Sequence, residues 1–497
     1  MIIMIQKNKI IITYVAQIYS VILGLITLPL YIKILGVESF GLIGFFSALQ
    51  AIFAILDIGF SSVVTREASK FLANNNSYYF ALTRIIKRLF FVIGTIGAIT
   101  FILTSDYLSS NWLSYKILTY DEVRLSIVLM GLTVVIRWIS GYFKGIILGF
   151  EKLVWIGYFN ILSNTLRFGL IIPIVYLYPN IINFFAYQLL TSVVEILFLY
   201  LKENDLRKTY KTVEINSYSV EKINLKKLLY FSSGIGLTSM LWVVISNADK
   251  ILISKLVDLS QYGDFIAATA LANGILILNT PISNIVLPRL TILHEEKKDF
   301  LYREMYKFST QLLSIFSLSA SVFISIYAKE ILIIWLNETV TDNMVGILRL
   351  YAVGNSITTL TAMAYYLQFS IGKLKYHIVG SIGFLVITTG LMYIFIKNFG
   401  IIGSGYAWVI SNAIYFILWI PRVHKKYLNG IHLKWMYQDI LKPLIFATLT
   451  GYITSQIFHI SNEKWKAILE LLIIGIIIFI STIIGSSRIR PILFKKN

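Results

Sequence analysis

Apolar stretches about as long as a membrane is thick recur along the whole chain, separated by short charged segments. A helix needs about 20 apolar residues to cross a hydrocarbon core. That window predicts spans near 10–32, 40–62, 86–104, 122–148, 153–178 and 181–201. A polar stretch, 202–227, interrupts the series. Further spans are predicted near 228–254, 260–287, 306–328, 345–371, 376–396, 399–421, 440–459 and 466–486. The expected fold is an all-α integral membrane protein with about 14 transmembrane helices. Residues 1–35 pair a charged start with an apolar run that is too long for a secretory signal and lacks a small-residue cleavage site. They are read as a retained first span.

The loops test this count. With the N-terminus cytoplasmic, the Lys- and Arg-rich segments 66–88, 202–227, 289–307, 422–442 and 488–496 all fall inside. Outer loops hold only isolated cations such as Lys33, Lys116 and Lys255. Positive charge marks cytoplasmic loops, so both termini are expected in the cytoplasm of a multi-pass protein of the inner or plasma membrane. The same bias accounts for most of the net charge of +19, which in a soluble protein would suggest nucleic acid. Here it points to topology and to anionic membrane lipids, with no nucleic-acid partner.

Composition narrows the chemistry. The 497 residues are 57% hydrophobic and 14% charged, too apolar to clothe a soluble protein of this size. There is no cysteine and there are only 5 His, so no thiolate centre, cysteine nucleophile or metal site is expected. No phosphate-binding loop for a nucleotide is seen, and no cofactor is expected. No predicted loop is long enough to hold a catalytic domain, so the chain is not read as an enzyme.

Two segments repeat. "KILGVESFGLIGFFSAL" (33–49) aligns without gaps to "KLVDLSQYGDFIAATAL" (255–271), pairing Phe40 with Tyr262 and Gly41 with Gly263. Each joins the first and second helix of a half, and an even number of helices separates them. The halves therefore run in the same sense, related by a parallel pseudo-two-fold axis along the membrane normal. The division expected is an N-lobe at 1–201, a cytoplasmic linker at 202–227, a C-lobe at 228–430, and an extra helix pair with a basic tail at 431–497. The tail reads as an anchor to the inner leaflet.

Polar residues on one face of a span mark either close helix packing or a cavity. The first helix shows Thr13, Gln17, Ser20, Gly24 and Thr27; the second Ser47, Gln50, Asp57 and Ser61. The fifth carries Asn160, Asn164 and Arg167; the eighth Thr269, Asn273, Thr280 and Asn284; the tenth Arg349, Ser356 and Thr359. Charges are more informative, since each costs about 2.5–3.5 kcal/mol at a bilayer centre. Arg137 and Arg167 lie near the middles of their spans. They require a wet cavity or an internal ion pair, for instance with Asp57 or Glu195. Lys144 and Arg349 lie near helix ends, where snorkelling to headgroups competes with a substrate role. Trp112, Trp155, Trp335, Trp435 and Trp465 sit near predicted boundaries, as an aromatic belt would.

The stretch "SNADKILISKL" (246–256) sets Asp249 beside Lys250 at the end of an apolar run. Lys250 continues the face of Ser232, Ser239 and Ser246, while Asp249 is turned about 100° away. The two are therefore not expected to form one salt bridge along the helix. Lys250 is expected to face a cavity, and Asp249 a neighbouring helix or the outer headgroups.

Residues 28–70, "LPLYIKILGVESFGLIGFFSALQAIFAILDIGFSSVVTREASK", carry Pro29, Leu35-Gly36, Phe40-Gly41, Gly59 and Arg66. This pattern resembles the opening of the O-antigen (Wzx-type) polysaccharide-biosynthesis flippases of the multidrug/oligosaccharidyl-lipid/polysaccharide (MOP) exporter superfamily. "ADKILISKL" (248–256), "YG" (262–263) and "LPRL" (287–290) look like that family's seventh and eighth helices. Two helices beyond the usual twelve make the chain similar also to fourteen-helix lipid II flippases. The resemblance implies alternating access, with a polyprenyl-diphosphate-linked oligosaccharide carried from the cytoplasmic to the outer leaflet.

On that reading the cavity candidates are Arg137, Arg167, Lys250, Arg349 and Lys144 for the diphosphate. Asn160, Asn164, Gln17, Gln50, Asn273 and Asn284 suit sugar hydroxyls. Asp57, Glu195 and Asp249 are candidates for ion coupling. Polysaccharide polymerase machinery is a further expected partner. A cation-coupled drug exporter of the same superfamily would favour an acidic cavity. A membrane polymerase or ligase would need a long outer loop bearing catalytic side chains.

Overall fold

The computed structural model describes residues 2–57, 60–74, 78–210, 225–336 and 340–491. Helix is the only regular structure among them; strand pairing is limited to one isolated bridge, Ser114 with Asp258. Nine described helices are long and apolar enough to cross a membrane. The chain divides into two compact units, Met1–Gly263 and Asp264–Asn497.

In the first unit α1 (Ile2–Leu35) leads into α2 (Val37–Ala54) through Gly36, whose φ of 84° suits glycine. The span expected at 40–62 is not one helix. A 3₁₀ turn, Ile55–Asp57, ends it, and α3 (Phe60–Asn74) begins beyond. The Asp57 carboxylate accepts from the Ser61 backbone N–H and hydroxyl, each at 3.0 Å. It thereby satisfies donors that the start of α3 would otherwise leave unpaired. The loop expected after residue 62 is thus largely helix. Phe60, Val63, Val64, Ala68 and Phe71 are buried along one side of α3. That 3.6-residue periodicity is too polar on its other side for a membrane-span window to detect.

Helix α4 (Tyr78–Tyr107) ends in a π-helical turn, Leu108–Trp112, and α5 (Tyr120–Gly149) starts from a capping box of Thr119 and Glu122. Helix α5 is the most enclosed element of this unit, with α8 (Ile181–Thr209), α4 and α3 packed around it. The span expected at 153–178 is α6 (Leu153–Asn164), a π-helical turn (Thr165–Gly169) and α7 (Ile171–Leu177). Helix α9 (Leu225–Leu256) and the start of α10 (Leu259–Ala272) complete the unit.

The repeated segments meet here. A methyl group at Gly41 would strike the backbone oxygen of Leu259, and one at Gly263 that of Val37. Both helices need glycine for this approach. The segment between α4 and α5 lies across the same place. Glu38 accepts from the backbone N–H groups of Lys116, Ile117 and Leu118 at 2.5, 2.8 and 2.9 Å. Lys116 Nζ reaches Asp258 at 2.5 Å, which raises the lysine above its ordinary pKa. Trp112 Nε1 donates to Ser254 Oγ at 3.2 Å.

The second unit continues with α11 (Gly274–Ile277), α12 (Asn279–Glu295), α13 (Asp299–Ile326), α14 (Ala328–Leu336), α15 (Asp342–Ser370) and α16 (Lys375–Phe399). It ends with α17 (Ile402–Ile414), α18 (Ile420–Tyr427), α19 (His432–Trp435), α20 (Lys442–Ile457) and α21 (Lys464–Ile484). The outer loop expected at 329–344 holds α14. Trp435 is not at an aromatic belt; it is 1% exposed, in a core with Tyr306 and Val423. Its indole N–H donates to Thr310 at 2.9 Å, which satisfies the ring's polar atom in the interior. Arg488, expected to anchor at lipid, instead bonds Asp439 at 2.9 Å and pairs with Glu304. Asp439 is fully buried and needs that cation. Residues 492–497 of the tail lie outside the described residues.

A cationic cavity in the first unit

A cavity of about 500 Å³ opens among α1, α2, α5, α8 and the π-turn 165–169. Ser47, Gln50, Arg137, Asn164 and Arg167, five of the residues singled out from sequence, line it. Tyr31, Phe46, Trp138, Phe168 and Phe184 supply aromatic walls.

The two arginines are supported differently. Arg167 stands on the π-turn, and its Nε donates to Glu195 Oε1 at 2.6 Å while Nη2 meets Oε2. The pairing is two-pronged, and Glu195 is buried. Three side chains hold the turn's carbonyls. Tyr31 donates to Phe168 O at 2.9 Å, Tyr187 to Leu166 O at 3.1 Å and Gln188 to Arg167 O at 2.9 Å. A π-turn leaves carbonyls without regular helical partners, and these donors supply them.

Arg137 has no carboxylate. Its Nε donates to Ser192 Oγ at 2.9 Å, Nη1 to Gln50 Oε1 at 3.1 Å and Nη2 to Gln188 Oε1 at 2.5 Å. The Phe46 ring centroid is 5.3 Å from the guanidinium carbon. All these partners are neutral. Among the described residues Arg137 therefore keeps an uncompensated positive charge in the cavity wall. The buried Trp138 indole N–H also has no acceptor among the described residues.

Gln188 and Ser192 escaped the sequence reading, although with Glu195 they form a polar stripe at spacings of four and three. Glu195 drew attention by its charge, and the neutral pair did not.

Other candidates lie elsewhere. Lys144 has its Nζ 5.4 Å from the Phe159 ring centroid, and neither it nor Asn160 lines the cavity. Asp57 is engaged at the head of α3. Lys250 Nζ donates to Ser246 O at 2.6 Å and lies 3.5 Å from Asp249 Oδ1. The expectation of no salt bridge is thus corrected: the flexible lysine stem swings across the 100° between the two positions. In the second unit Asn273 Oδ1 accepts from Asn355 Nδ2 at 3.1 Å, inside a neutral network that includes Trp408. Arg349 is exposed on α15. The side chains of Gln17 and Asn284 lie outside what the structure describes.

A multi-pass helical bundle with two arginines in the wall of a cavity is a membrane transporter rather than a membrane anchor or a soluble assembly. The chain belongs to the polysaccharide biosynthesis protein family, whose model matches residues 7–294. The model for the lipid II flippase MurJ matches residues 175–475. A Shigella flexneri protein named for O-antigen transport is 20% identical over 420 residues, which is 81% of this chain and 90% of that protein. A structure of lipid II flippase MurJ, inward closed conformation, superposes with a TM-score of 0.72 at 16% identity, covering 98% of this chain and all of that one. An inward-facing MATE family multidrug transporter of the MOP superfamily gives 0.69 at 16% identity, covering 82% of this chain and 94% of that one. The superfamily read from residues 28–70 is borne out.

Proposed function

We propose that this protein flips polyprenyl-diphosphate-linked oligosaccharide repeat units, of O-antigen or capsule type, from the cytoplasmic to the outer leaflet of the inner membrane. The observation that carries the reading is Arg137: a half-buried guanidinium in a cavity wall, hydrogen-bonded only to neutral groups. Such a charge is costly unless an anion completes it. A diphosphate does so well, because the planar fork of arginine bonds two oxygens at once. Gln50 and Asn164 offer hydrogen bonds to sugar hydroxyls. The isoprenoid tail stays in lipid while the headgroup crosses. Both termini are cytoplasmic on this reading, and transport is by alternating access. Glu195 and Asp57 remain the candidates for ion coupling, with Asp249 a third.

A second reading, lipid II transport, is supported by the helix pair α20 and α21 and by the family match across 175–475. Drug export by a cation-coupled relative fits less well, since the cavity presents a cation and its nearest carboxylate is already paired.

The test is genetic and chemical. Deleting the gene should remove surface polysaccharide and leave lipid-linked units on the cytoplasmic side. The unaltered gene should restore the surface polymer, and Arg137→Ala, expressed to the same level, should not. If complete units already face outward in the deletion, flipping is not the step. If their sugars are those of peptidoglycan, the second reading replaces the first.

A further inference from the structure

Gln188 is 3% exposed on α8, and its two ends have different partners. Oε1 accepts from Arg137 Nη2 at 2.5 Å, and Nε2 donates to the main-chain oxygen of Arg167 at 2.9 Å. A carboxamide has one acceptor end and one donor end, so these neighbours fix its orientation. Reversed, it would set donor against donor and oxygen against oxygen. Ser192, one turn along, holds Arg137 Nε at 2.9 Å while donating to Gln188 O at 2.8 Å. A guanidinium has five N–H groups. Three are held by Gln50, Gln188 and Ser192, and the remainder can serve a ligand.

We propose that Gln188 is a positioning residue, setting the Arg137 guanidinium at a fixed spacing from the π-turn that carries Arg167, so that both arginines act on one diphosphate. This rests on the diphosphate reading above. A side chain already held in its binding geometry loses less entropy when the ligand arrives. Glu195 holds Nε and Nη2 of Arg167, so its Nη1 is the group that would meet the second phosphate beside Arg137.

The full chain, purified in detergent, would be titrated with farnesyl diphosphate and with farnesyl monophosphate, and the ratio of affinities compared among variants. The ratio is insensitive to the fraction of folded protein, which scales both titrations alike. The unaltered protein should prefer the diphosphate by about tenfold or more, from the added charge-assisted bonds. In Gln188→Met the ratio should fall toward unity. In Gln188→Glu, which keeps the acceptor but places a carboxylate on Arg137, both affinities should fall and the preference should also be lost. An unchanged ratio in both variants overturns the proposal. Arg137→Gln separates the two levels of inference. If it abolishes diphosphate binding while the Gln188 variants keep the ratio, only the positioning role falls. If it too binds as the unaltered protein does, the diphosphate reading falls with it.

Discussion

Arg137 and Arg167 share a cavity wall, yet removing their charges should have opposite consequences. Arg167 neutralises Glu195, so Arg167→Gln leaves a buried carboxylate unpaired and should cost about 3–5 kcal/mol of stability. The double variant Arg167→Gln with Glu195→Gln should recover most of that loss. Thermal unfolding in detergent checks this, and an additive double variant would show that the pair is not coupled. Arg137→Gln should leave the melting temperature unchanged or raised, since a cation without a counter-charge is withdrawn from the interior. Its cost should appear in transport alone. Much of this was legible beforehand, because a charge in an apolar run cannot go unnoticed. Gln188 and Ser192 were not, since amides and hydroxyls in helices also serve ordinary packing. Lys250 misled because helical angles place the stem of a side chain and not the end of a long one.

Individual elements depend on a few side chains at their ends. Glu38 accepts three N–H groups of the segment joining α4 to α5. Each such bond to a charged group contributes about 1.5–3 kcal/mol, so Glu38→Ala should speed exchange of the 116–118 amides by about tenfold or more. Hydrogen exchange by mass spectrometry reads this directly, and unchanged protection there would refute the clamp. Arg488→Ala should leave Asp439 buried without its cation and lower stability by about 3–5 kcal/mol. Unfolding of the purified variant checks this, and Asp439→Asn beside it should restore part of the loss. The sequence predicted where helices run better than where they break. The stop at Asp57, the π-turn under Arg167 and the amphipathic α3 were all missed. A window of mean apolarity averages across a single turn and discards a helix with one polar side.

At the scale of the molecule, the proposed alternating access would require the joined ends of α2 and α10 to part. In this structure the 113–119 segment ties them, through Glu38 on one side and Asp258 on the other. The natural sequence has no cysteine, so Lys116→Cys with Asp258→Cys gives only two thiols. A short bifunctional thiol reagent should stop transport in the double variant and spare either single one. Continued transport by fully cross-linked protein would show that this contact does not open. The all-helical class was readable because spacing and composition survive divergence better than identity does. The close approach of Gly41 to α10 has a consequence for ancestry. Val37 faces Gly263 and Leu259 faces Gly41, positions equivalent at the 222-residue offset of the repeat. Residue i meeting j while j meets i is the signature of two identical subunits joined about a two-fold axis. A half-length ancestor would have paired with its own copy through this patch. In the present chain the two sides need not match, and Asp264 stands opposite Leu42 in the alignment.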